Sequence, residues 1–144
     1  MPTPGAPEFA RPVEAPRATG RPATHRIAAT VEERAALARR FALVSLDRLE
    51  AEVRLERLAG GLVRLTASLV AEAVQECVAT LEPLPARIAE EFSVLYGETA
   101  AARDVTIDGE DEPVEPLEGG RIDIGEAVAQ ELSLALDPFP RAPE

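Results

Sequence analysis

The sequence holds one histidine, His25, and one cysteine, Cys77, the residue types that carry most proton-transfer, nucleophilic and metal chemistry. A hydrolase triad needs an imidazole or an equivalent base beside its nucleophile. His25 stands next to a proline-rich stretch and reads as a solvated surface histidine. A zinc site needs four ligands. Cys77-Val78-Ala79-Thr80 has the frame of a C-x-x-C pair but with threonine in the second cysteine position, so one thiolate and a remote histidine leave a tetrahedral site unclosed. Cys77 reads as a small buried hydrophobe. The run from Asp104 to Glu110 sets carboxylates near a glycine, but it misses the spacing of the twelve-residue calcium loop and reads as a solvated acidic loop. The phosphate-binding glycine motifs are missing, and Gly60-Gly61 is a turn signal. Paired carboxylates occur in any chain with 26 acidic residues and diagnose nothing. No catalytic residue, cofactor or metal is expected, and an enzyme is the least favoured class.

Binding is the alternative, and the charge says to what. The net charge is −11. Residues 1–90 balance 12 arginines against 12 acids, whereas residues 91–144 set 14 acids against Arg103, Arg121 and Arg141. An acidic surface repels phosphate backbones, and nucleic-acid binding usually needs a basic face that displaces counterions. A basic protein partner fits better. No run of apolar residues is long enough for a membrane span. Met1-Pro2-Thr3-Pro4-Gly5 lacks the layout of a secretory signal, and a lone cysteine suits a reducing compartment. A cytoplasmic location, away from membranes, is expected.

These residues need elements to hold them. Residues 1–24 contain six prolines among Ala, Gly and Thr, bury too little apolar surface to offset ordering, and predict a mostly flexible arm with local docking at Phe9 and Val13. Residues 25–144 are expected to form a single domain. Thr30 and Glu33 make a capping box for a helix at about 31–41. Leu49, Ala51, Val53 and Leu55 alternate with charged residues, as do Val63, Leu65, Ala67, Leu69 and Ala71 beyond the two glycines. That is the pattern of a β-hairpin. Leu55, Leu58, Leu62, Leu65 and Leu69 also form a helical stripe, but two glycines in its middle cost a helix roughly 2 kcal/mol and favour strands. Pro83 and Pro85 predict a turn. Ile88, Glu90, Phe92, Val94 and Tyr96 predict a further strand, and residues 97–120 an acidic loop. Asp123 and Glu126 begin a helix at about 124–136 that Pro138 ends. The fold class is α+β: an antiparallel sheet or partly open barrel with a short N-terminal helix and a C-terminal helix.

Two segments carry a resemblance. Gln75-Glu76-Cys77-Val78-Ala79-Thr80-Leu81-Glu82-Pro83-Leu84 is one. The other runs from Gly120 through Ile122-Asp123-Ile124-Gly125-Glu126 to Leu134-Ala135-Leu136-Asp137-Pro138-Phe139-Pro140. In this order, with an acidic loop between them, they resemble the YceD family of large-ribosomal-RNA-subunit accumulation proteins, over about residues 26–143. Thr80 departs from members with C-x-x-C, as in the alphaproteobacterial branch, which removes a metal role. The resemblance implies a bacterial, cytoplasmic, non-enzymatic ribosome biogenesis factor supporting accumulation of 23S rRNA. Genes of that family often neighbour one for a small basic large-subunit protein. It also favours strands over residues 46–96.

The expected partner is a basic large-subunit ribosomal protein or a pre-ribosomal particle, with rRNA reached indirectly. The candidate partner-binding residues are Glu110, Asp111, Glu112 and Glu115 in the acidic loop and Asp123 and Glu126 at the last helix. The rival reading is direct RNA binding by Arg48, Arg54, Arg57 and Arg64 on a sheet face, where interleaved Glu50, Glu52 and Glu56 argue for a merely charge-balanced surface.

Overall fold

A computed structural model of the chain describes residues 8–17, 19–97, 105–107, 110–117 and 119–141, with backbone alone at 105–107 and 110–112. The alternating segments are strands. β3 (Ser45–Arg57) and β4 (Leu62–Glu76) pair antiparallel, and β5 (Pro83–Gly97) follows antiparallel to β4. Leu49, Ala51, Val53 and Leu55 from β3 and Val63, Leu65, Ala67, Leu69 and Ala71 from β4 are all buried on one face. Leu46 is buried too, although its parity is opposite. A register shift between Leu46 and Arg48 inserts the extra residue that restores its aim. The helical stripe fails at the predicted place: Gly60 and Gly61 take φ of 78° and 76°, a left-handed conformation open to glycine that no helix tolerates.

Three features depart from the pattern-based expectation. Pro83 and Pro85 do not make the turn; they lie within β5, and the turn is Val78–Thr80, closed by the Leu81 N–H on the Cys77 carbonyl at 2.9 Å. The acidic stretch 97–120 is not one loop, since β6 (Val105–Ile107) and β7 (Glu110–Glu112) form a hairpin and β8 (Val114–Pro116) joins the main sheet. β8 runs parallel to β5, so the curled, half-barrel sheet is mixed and not antiparallel throughout. Its order is β2 (Ala23–Ala28), β3, β4, β5, β8.

The helices sit on the buried face. α1 (Val31–Arg40) carries both halves of the capping box, with Thr30 Oγ1 accepting from Glu33 N–H and Glu33 accepting from Thr30 N–H. It packs on β3, while α2 (Ile124–Ala135) packs on β4, β5 and β1 (Pro12–Glu14). Asp123 caps α2 by accepting from the Glu126 N–H at 3.0 Å.

The segment expected as a flexible arm is in large part built into this body. Phe9 is 0 % exposed in the core, and β1 (Pro12–Glu14) pairs antiparallel with β9 (Arg121–Asp123). The Arg11 guanidinium forks onto Glu33 with two 2.7 Å hydrogen bonds, and the Arg11 backbone N–H donates to Asp123 at 2.8 Å. Ala23 and Thr24 already belong to β2. Residues 1–7 and 18 lie outside the described residues.

Candidate functional site

A groove of about 520 Å³ lies between β5 and α2. The alternation of β5 turns Phe92, Val94 and Tyr96 into it, and α2 contributes Ala127, Gln130, Glu131 and Leu134. Leu134 is 79 % exposed, an apolar side chain on the rim and not in the core. Glu115 and Pro116 of β8 and Asp123 and Glu126 at the start of α2 complete the wall. The lining thus holds four carboxylates and no basic side chain. Burial, reinforced by the charges of Glu115 and Asp123, pushes the Tyr96 hydroxyl up to about 12.

Three of the six sequence-derived candidates, Glu115, Asp123 and Glu126, therefore line one groove. Two of those are already engaged within the fold. Asp123 accepts from the Arg11 and Glu126 backbone N–H groups. Glu126 takes a two-pronged contact from Arg40 at 2.8 and 3.0 Å, and that guanidinium holds its carboxyl below the usual value against the opposing effect of burial. Glu115 is exposed, and Glu131 is half-buried. Glu110, Asp111 and Glu112 form β7, and their side chains lie outside the described residues. Glu131, Phe92, Val94, Tyr96 and Leu134 escaped the sequence reading as a site. The signal for it was Leu134, an apolar residue off the face that buries Val128 and Leu132.

The arginines of the rival reading divide. Arg48, Arg54 and Arg64 share the outer face of the sheet with Arg26 and Arg87, among Glu50, Glu52, Glu56, Glu72 and Glu91. Arg26 pairs with Glu52 at 3.2 Å, Arg54 with Glu56 and Arg87 with Glu72 at 3.6 Å, and Arg48 with Glu50. Exposed pairs of this kind stabilise little, but they cancel the charge of the face. Arg57 instead donates to the Pro16 carbonyl at 2.7 Å.

Cys77 is buried, at 1 % exposure. His25 is not the solvated histidine expected. It is half-buried in β2, and its Nε2 is enclosed without a hydrogen-bond partner among the described residues. Among the described residues no three His, Cys, Asp or Glu side chains gather to hold a metal ion, and no helix is long and apolar enough to cross a membrane.

A family model described as large ribosomal RNA subunit accumulation protein YceD matches residues 65–144, a span that contains both walls of the groove. No curated protein and no solved structure matches the chain.

Proposed function

This chain belongs to the YceD family, whose name ties it to accumulation of large-subunit ribosomal RNA, and from that premise we propose that it acts by holding a basic polypeptide of the large subunit, without catalysis. The occupant is a basic ribosomal protein or such a protein within a pre-ribosomal particle, and rRNA is reached through it. The observation that carries this reading is the contrast between two surfaces. The β5–α2 groove has an apolar floor and four carboxylates, which suits a cationic chain with apolar anchors. The outer sheet face matches its arginines with glutamates, which gives phosphate no net attraction.

The test is binding of purified basic large-subunit proteins to the wild-type chain and to a variant with Glu110, Asp111, Glu112 and Glu115 neutralised together. The variant should bind about tenfold more weakly at low salt and show a flatter salt dependence. Unchanged affinity would remove the acidic segment from the mechanism. Binding of bare 23S rRNA fragments with a steep loss on adding salt would favour the arginine face instead.

A further inference from the structure

β5 is paired along its full length on one side only. β4 accompanies it from Pro83 to Gly97, whereas β8 covers the opposite edge only at Leu95, Tyr96 and Gly97. Among the described residues no strand lies beside Pro83–Val94 on that side. Two observations fix which backbone groups face the opening. The Leu117 N–H donates to the Gly97 carbonyl at 2.7 Å, so the polar groups of residue 97 point to the β8 side. The β4–β5 register then runs without a shift down to Pro83, and along a strand these groups alternate sides residue by residue. Odd-numbered residues therefore face the open edge. Pro83 and Pro85 have that parity and lose no ladder bond by lacking an N–H. Arg87, Ala89, Glu91 and Ser93, all exposed, present their N–H and C=O groups to it.

Open edges pair with other chains unless charge or proline prevents it. Here the prolines block only the start, and the charge is selective. Glu90 and Glu91 sit mid-edge, and the groove beside the edge adds Glu131 and the exposed Leu134. A segment alternating Lys or Arg with apolar residues gains backbone hydrogen bonds, ion pairs and an apolar contact together, while an acidic segment is repelled.

We propose that the open edge of β5 from Arg87 to Ser93 takes an extended basic segment of the partner as an added strand, with apolar side chains reaching the β5–α2 groove. This rests on the reading that the partner is a basic polypeptide. The edge is the docking line and the groove supplies register.

The probe is a set of synthetic 12-residue peptides tiling the basic large-subunit ribosomal proteins, titrated into the full chain and followed by amide hydrogen exchange. In the complex the amides of Arg87, Ala89, Glu91 and Ser93 should exchange at least about tenfold more slowly, while those of Ile88 and Glu90, already turned to β4, stay as they were. Ala89→Pro removes one outward N–H and no internal ladder bond, so it should keep the thermal midpoint and weaken binding about tenfold. Leu134→Asp, on an exposed side chain, should weaken binding independently of any effect on the strand. Peptides that bind without slowing the odd-numbered amides would overturn strand addition and leave the basic-partner reading standing. Failure of every basic peptide to bind would overturn both. Odd-residue protection that grows with protein concentration and needs no peptide would assign the edge to a second copy of this chain and overturn the proposal.

Discussion

Gly125, the second residue of α2, offers the sharpest test of how the N-terminal segment is held. A Cβ built there would lie 2.1 Å from the Phe9 carbonyl oxygen and 3.1 Å from the Arg11 nitrogen. Both are backbone atoms and cannot rotate away, so Gly125→Ala forces the segment outward by about 1 Å or more. That displacement strains what the segment contributes: the fully buried Phe9 ring, the β1–β9 pairing and the Arg11–Glu33 fork. Truncating a buried phenylalanine costs about 3–5 kcal/mol, and partial expulsion should cost about half as much or more. Helix propensity acts the other way, because alanine is favoured over glycine by about 1 kcal/mol inside a helix. The net expectation is a destabilisation of about 1 kcal/mol or more, measured by equilibrium urea unfolding followed by circular dichroism. Trypsin should also cut after Arg17 much faster than in the wild type. A variant as stable as the wild type, or stabilised by the propensity term, would refute the close passage of the segment over α2.

Further expectations concern charge. Arg40 and Arg11 hold the carboxyls of Glu126 and Glu33 below the ordinary value of 4.5. The stability they contribute is therefore full above that value and is lost as pH falls through it towards the lowered folded values. Glu126→Gln should cost about 1 kcal/mol near neutral pH and flatten the acid limb of a stability–pH curve; an unchanged limb would deny the Arg40 contact a role. Tyr96 is the only tyrosine and there is no tryptophan, so phenolate absorbance reads its titration alone. With its hydroxyl pushed from 10.0 to about 12, the stability it contributes is full below 10 and is lost between the two values. A titration midpoint near 10 in the folded protein would mean that the groove floor is wet. Binding of a cationic segment beside it should lower the midpoint.

Local signals were legible in the sequence because their causes are local. Thr30 with Glu33, and Asp123 with Glu126, mark helix starts by the hydrogen bonds they make three residues apart. The period-two burial of β3 and β4 needed only side-chain alternation and two glycines. What escaped was set by distant partners. Pro12–Glu14 is extended because Arg121–Asp123 lies beside it, and six prolines in the first 24 residues give no hint of that. β2 has a weak pattern, Ala-Thr-His-Arg-Ile-Ala, and exists because β3 offers an edge. β8 is a strand because the end of β5 lies beside it. Pro83 and Pro85 read as a turn because the sequence does not reveal that their side of β5 is open. The groove was half legible: Glu115, Asp123 and Glu126 were singled out as residues, but their convergence with Phe92, Val94 and Leu134 requires α2 to pack beside β5.

If this protein supports build-up of the large subunit, the ratio of 23S to 16S rRNA should fall in cells depleted of it and recover when the wild-type gene is restored. A ratio unchanged by depletion would mean that it does not.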